Sequence, residues 1–131
     1  MLGAVPLAPA IDIADETYVG CPRAVLAPVM ADPATWARWW PDLWLSVTRD
    51  RGVKGQQWAV RGALTGSMEI WLEPSLDGVI LHYFLHAEPS PEHSLRNLAT
   101  ANKQRRVAGK RMSFEVKAKI EAGRPAGEPA A

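Results

Sequence analysis

The sequence predicts an α+β fold: a curved antiparallel sheet around one long C-terminal helix, with two short helices after the first strand. Three observations predict it. Apolar residues alternate with period two from Leu43 to about Glu88, the spacing of strands buried on one face. A proline-punctuated stretch, residues 22–41, precedes that run with helical spacing. After Pro89 and Pro91 the pattern turns into one long helical stretch ending at Gly123. A sheet with one apolar face has to cover it, and the last helix is the only long amphipathic element available.

The elements follow in order. "IDIADETYVG", residues 11–20, is rich in β-branched and aromatic residues and reads as a strand with a break around Asp15. In "CPRAVLAPVMAD" Pro22 suits a helix start. Val25, Val29 and Met30, with Leu26 beside them, form its apolar face, and Pro28 keeps it short. Asp32 is placed to cap a second helix with Pro33 at its first position. Trp36, Trp39 and Trp40 fall on one face of it, and Pro41 ends it. Four strands follow, in "LWLSVTRDRG", "GQQWAVRGAL", "TGSMEIWLEP" and "GVILHYFLHAEP", with turn material "RDRGVKG", "RGALTG" and "SLDG" separating them. In the last helix, with Ser90 or Ser94 as its cap, Leu98, Ala101, Ala108, Met112, Val116 and Ile120 make the buried stripe. Gly109 is its weak point and a place for a bend.

Bulk properties narrow the classes. With 131 residues the chain is expected to form one domain over residues 11–122, between a loose arm (1–10) and a disordered tail (123–131). The arm is apolar but lacks a basic leading segment, so it does not read as a signal peptide. No apolar run approaches the roughly 20 residues of a membrane span, and a cytoplasmic location is expected. The single cysteine, Cys21, excludes an internal disulfide and a multi-cysteine metal site, and reads as a small buried hydrophobe. Residues 1–91 carry six Lys/Arg against ten Asp/Glu, whereas residues 92–122 carry eight against three. The last helix is therefore a basic rod on an acidic body.

The stretch "ETYVGCP", the segment "RAVLAPVMADPATWARWWPDL" with its D-P-x-x-W-x-x-W-W-P pattern, and "GSMEIWLEP" before a Gly-started strand resemble the START-like (SRPBCC) helix-grip superfamily. This superfamily includes polyketide cyclase/dehydrase and lipid-transport proteins, coenzyme-Q-binding START proteins and pollen allergens. The resemblance covers about residues 11–122. It departs in strand number: the family sheet usually has seven strands, and this sequence supplies five, which implies a more open, shallower cavity.

The resemblance implies binding, and transport, of a small hydrophobic ligand (lipid, polyketide or isoprenoid) between the sheet and the last helix. Trp36 and Trp40 would close the mouth. Trp58, Val60, Met68, Ile70, Leu81 and Tyr83 would line the wall, and Met112 the floor. The tryptophans also admit a plainer reading, as glue fixing the short helices to the sheet. The runner-up is a polyketide cyclase or dehydratase, for which Tyr83 is a weak catalytic candidate, better as hydrogen-bond donor than base. A third reading is a protein-interaction module using a free sheet edge. No cofactor is expected. His82 and His86, with Glu69 near, have a spacing that can hold a metal, but their parity points outward and they read as half-exposed surface histidines, so no metal is expected. Lys103, Arg105, Arg106, Lys110 and Arg111 suit an anionic membrane surface or simply a solvated helix face. Nucleic acid is not expected, since the tryptophans do not interleave with this basic stretch. A monomer or homodimer fits these expectations.

Overall fold

The computed structural model of the protein describes residues 9–90 and 98–122. Its elements are β1 (Ile11–Val19), α1 (Arg23–Met30), α2 (Pro33–Trp39), β2 (Leu43–Asp50), a 3₁₀ turn (Gly52–Lys54), β3 (Gly55–Gly62), β4 (Leu64–Ser75), β5 (Gly78–Pro89) and α3 (Leu98–Glu121). The five strands form one antiparallel sheet in the order β1-β5-β4-β3-β2. The α+β architecture expected from the sequence is therefore the observed one. Because β1 and β2 occupy opposite edges, α1 and α2 must carry the chain across the full width of the sheet. The expected arm and tail, the cap at Ser94, the helix start before Leu98 and the stop at Gly123 lie outside the described residues, save Pro9 and Ala10 of the arm.

Register fixes which side chains face inward. One row across the sheet reads Val47, Trp58, Met68, Leu85, Ile13, and the next reads Leu45, Val60, Gly66, Ala87, Ile11. The alternation in the sequence is thus the alternation of a one-sided sheet. Cys21 is buried, at 4 % exposure.

Two local expectations, the break at Asp15 and the apolar face of α1, are corrected. Strand β1 runs unbroken through Asp15, because that inward carboxylate meets the Lys110 ammonium of α3 at 3.2 Å. The buried pair on α1 is Leu26 and Met30, one turn apart, while Val25 points to solvent. The Ser90 amide donates to the Ala63 carbonyl at 3.0 Å and its hydroxyl to the Gly62 carbonyl, which ties the end of β5 to the β3–β4 turn; the helix start that it would cap lies outside the described residues. Helix α3 passes continuously through Gly109, which is buried.

Helix α3 lies along the β1 edge, running in the same direction. Asn102 bridges that edge, donating to the Ala10 carbonyl (2.6 Å) and accepting from the Asp12 amide (3.1 Å). Lys110 donates to the Glu16 carbonyl (2.9 Å), Lys117 to the Tyr18 carbonyl (2.6 Å), and Glu121 accepts from the Gly20 amide (2.8 Å). A strand edge presents a row of unpaired backbone groups. Here one flank of the helix satisfies part of that row, at Ala10, Asp12, Glu16, Tyr18 and Gly20. The other edge, β2, has its register broken between Val47 and Arg49, a bulge of the kind that discourages pairing.

Candidate functional site

Each tryptophan of the cluster does something different, and local chain geometry decides which. Asp32 accepts from the Ala34 amide (3.0 Å) and Pro33 follows it, so α2 starts where expected. That start places Trp36 against the end of α1. Its indole N–H donates to the Met30 carbonyl at 2.7 Å, and the Thr35 hydroxyl lies 3.2 Å from the Val29 carbonyl. The last carbonyls of a helix lack partners within it, so these two side chains fasten α2 to α1. Trp36 is half-buried and meets Trp58 edge-on, with ring centroids 5.4 Å apart. Trp40, the residue that ends α2, is buried and stacks on Tyr83 at 5.9 Å and 12°. Trp39 stands edge-on to Trp40 at 5.5 Å. Trp44 is on the outer face of β2 and 77 % exposed.

Of the sequence-predicted site residues, Trp40, Trp58, Val60, Met68, Ile70, Leu81, Tyr83 and Met112 are all buried in one hydrophobic cluster, and Trp36 packs against it from α2. The structure brings them together between the sheet and the helices. Their surroundings differ along the sheet. At β5 the interior is filled: Tyr83 is held between the Trp40 ring and the backbone of Gly109, where even an added Cβ would come within 2.5 Å of the ring. Toward β2 the cover thins. Val47 belongs to the inward-facing row, yet it is 47 % exposed, and Leu45 is half-buried. Helix α2 overlies this side and is tied to α3 by Arg38 with Glu115, and by Arg105, whose guanidinium grips the Asp42 carboxylate with two bonds of 3.0 and 2.6 Å.

Polar atoms of this interior remain unmatched. Among the described residues, the buried indole N–H groups of Trp39 and Trp58 and the buried Gln56 Oε1 have no hydrogen-bond partner. Gln56 and Trp58 are alternate residues of β3 on the same inward face. A buried polar group without a partner costs about 1–3 kcal/mol. Sequence reading weighed the tryptophans as apolar mass and missed Gln56 altogether. The only available signal was a glutamine on an inward position of a strand, visible once parity is fixed.

Tyr83 is a poor base. Burial pushes its phenol well above the ordinary tyrosine value of about 10, partly offset by the Arg105 charge and a hydrogen bond with Trp40, while Asp15 adds to the rise. The folded state therefore favours the neutral phenol, and that contribution is complete below the unfolded pKa of about 10. It is lost as pH rises beyond that value, because the unfolded chain ionises first. Urea unfolding compared at about pH 8 and pH 10.5 should show a loss of stability that Tyr83→Phe reduces. An equal loss in the variant would show that Tyr83 does not cause it.

The outer-face histidines do not converge. His82 stacks on Trp71 (4.3 Å) and lies between Glu73 (3.0 Å) and Glu16 (3.7 Å). It is 7 % exposed, so the half-exposed placement expected from sequence is corrected. Trp71 of the neighbouring strand β4 stacks over it, and Phe84, two residues along β5, lies beside it, a cover that parity alone does not reveal. His86 meets Asp12 at 3.3 Å, and Glu69 is engaged with Arg51 at 3.6 Å. Among the described residues no three His, Cys, Asp or Glu side chains come together as a metal site. Nor, among them, is any helix long and apolar enough to cross a membrane.

The basic residues of α3 divide into two groups. Arg105 and Lys110 are committed to Asp42 and to β1. Lys103, Arg106 and Arg111 are exposed.

No family model matches the chain, and no curated protein matches it in sequence. Solved structures do match. The Aha1 dimer from Colwellia psychrerythraea aligns with a TM-score of 0.59 at 13 % identity, over 88 % of this chain and 99 % of that one. CalU16 from Micromonospora echinospora aligns at 0.55 and 14 %, over 82 % and 84 %. The Polyketide_cyc-like protein from Corynebacterium glutamicum aligns at 0.53 and 14 %, over 90 % and 97 %. Together with the curved sheet, the long last helix and the two short helices, these matches establish the START-like helix-grip fold. At such identities it is the fold that is shared.

Proposed function

We propose that the protein binds, and carries, a small hydrophobic molecule with an acceptor oxygen, of the lipid, polyketide or isoprenoid class. The ligand lies between α2 and the inward face of β3 and β2. The observation that carries this reading is the pair of buried, unmatched indole N–H groups at Trp39 and Trp58. An apolar ligand body would cover the exposed Val47 and half-buried Leu45 and part α2 from the buried Val60, Met68 and Ile70, and its carbonyl or carboxyl oxygen would accept from the indoles. Pockets that combine apolar walls with a few placed polar groups bind ligands in this way. In this arrangement Trp36 closes the mouth with α2, Trp40 and Tyr83 form the far wall, and Leu81 and Met112 are the packed support behind them. The thin cover over Val47 and Leu45 supports entry from the β2 side.

The test uses cis-parinaric acid, a fluorescent fatty acid that accepts energy from tryptophan. Titration should give saturable transfer at one ligand per chain, and native mass spectrometry of freshly purified protein should show a co-purified small molecule. Trp58→Phe keeps the ring and removes the donor. It should weaken binding by roughly tenfold, the worth of one buried hydrogen bond, while leaving the unfolding midpoint nearly unchanged. Absence of both transfer and any bound mass would end the reading. A Trp58→Phe variant that binds as well as the parent would remove the indole from the site.

A further inference from the structure

Helix α3 carries an apolar ridge on the side turned away from the sheet. Val107 is 46 % exposed and Phe114, two turns on, 54 % exposed. A spacing of seven residues puts both on one face, and the buried residues Gly109, Met112, Ser113 and Val116 occupy the opposite one. Lys103 and Lys110 flank the ridge on one side and Arg111 on the other. The Lys110 ammonium stands 4.9 Å from the centre of the Phe114 ring. Glu115, the acidic residue beside the ridge, is paired with Arg38. The face is therefore apolar along its crest and cationic along its sides.

We infer that this face of α3 docks on an anionic lipid bilayer, with Phe114 and Val107 entering the headgroup boundary and the exposed Lys103 and Arg111 meeting lipid phosphates, while Lys110 stays bonded to β1. Charge selects this occupant. Residues 1–91 carry a net charge of −4 and residues 92–122 one of +5, so an anionic surface is attracted to the helix and repelled by the rest of the body. A second copy seated on the same face would set identical cations against each other. The size of the crest argues the same way. Two side chains are too few for the core of a stable protein–protein interface, which buries about 800 Å² per partner. One aromatic, one branched residue and two exposed cations suit an interfacial helix, whose binding combines shallow apolar insertion with attraction to anionic lipid. The surface does not involve Trp39, Trp58 or Gln56, so it stands apart from the interior ligand site.

Vesicle flotation tests it, with phosphatidylcholine vesicles containing or lacking about 30 % phosphatidylglycerol. Binding should require the anionic lipid and fall steeply with added salt. Phe114→Ser with Val107→Ser should lower partitioning by at least roughly tenfold, and Lys103→Gln with Arg111→Gln by a similar factor. Both pairs are exposed, so circular dichroism should be unchanged, and parinaric acid should bind as in the parent. Equal flotation with neutral vesicles, or none with either, overturns the inference. So does a dimer in sedimentation velocity that Phe114→Ser dissociates, since a second copy would then own the ridge.

Discussion

Replacing Trp58 by alanine is expected to cost the fold about 3–5 kcal/mol, a large share of the stability of a domain this size. Trp58 is 1 % exposed in the inward row, opposite Val47 on one side and Met68 on the other. Removing the indole leaves a void where the sheet supports α2, and it deletes the edge-on contact with Trp36. Trp36 also holds the end of α1, so the damage extends to both short helices. The matched control is Trp44→Ala. Its side chain is 77 % exposed, so the change should stay within about 0.5 kcal/mol. Urea unfolding of the two variants beside the parent, read as midpoints at constant slope, measures the contrast. A Trp58→Ala cost near that of Trp44→Ala would mean the Trp58 ring has little packed against it. Trp58→Phe separates mass from polarity: losing area is offset by removing a buried donor that has no acceptor.

Much of this arrangement was legible in the sequence because it depends on period. Alternation from Leu43 onward gave strand directions and faces, and those faces survive in the register of all four strand pairs. Spacing placed Trp36 and Trp39 on one side of α2, and the Asp-Pro step placed the start of that helix. What sequence could not provide was contact between distant elements. Asp15 looks like a strand break until Lys110, 95 residues away, is seen beside it. The run of cations on α3 looks like one solvated band, yet Lys110 and Lys117 are hydrogen-bonded along the β1 edge. Tryptophans equal in sequence part company on hydrogen bonding: Trp36 finds a helix carbonyl, and Trp39 and Trp58 find nothing among the described residues. That last difference defines the candidate site, and no local pattern encodes it.

Gly109 offers the sharpest test of how closely the last helix approaches the sheet. In an isolated helix, Gly109→Ala should stabilise by about 1 kcal/mol through backbone propensity. Here the new Cβ would stand 2.5 Å from Tyr83 Cε2 and 2.9 Å from Cδ2. The ring has no room to yield, because Trp40 is stacked against it. Overpacking of this kind costs about 1–3 kcal/mol, so the substitution should destabilise despite the better propensity. In a Tyr83→Ala background the obstacle is gone, and the same change should become stabilising. A double-mutant cycle should then return a coupling of about 2–3 kcal/mol, near the upper end for residues in contact. Stabilisation by Gly109→Ala in the parent protein would place the helix farther from the sheet, with open space above Tyr83. If instead the coupling appears, helix and sheet touch at this level, and the proposed ligand space is left to the α2 side, toward Trp39 and Trp58, whose indole N–H groups have no partner among the described residues.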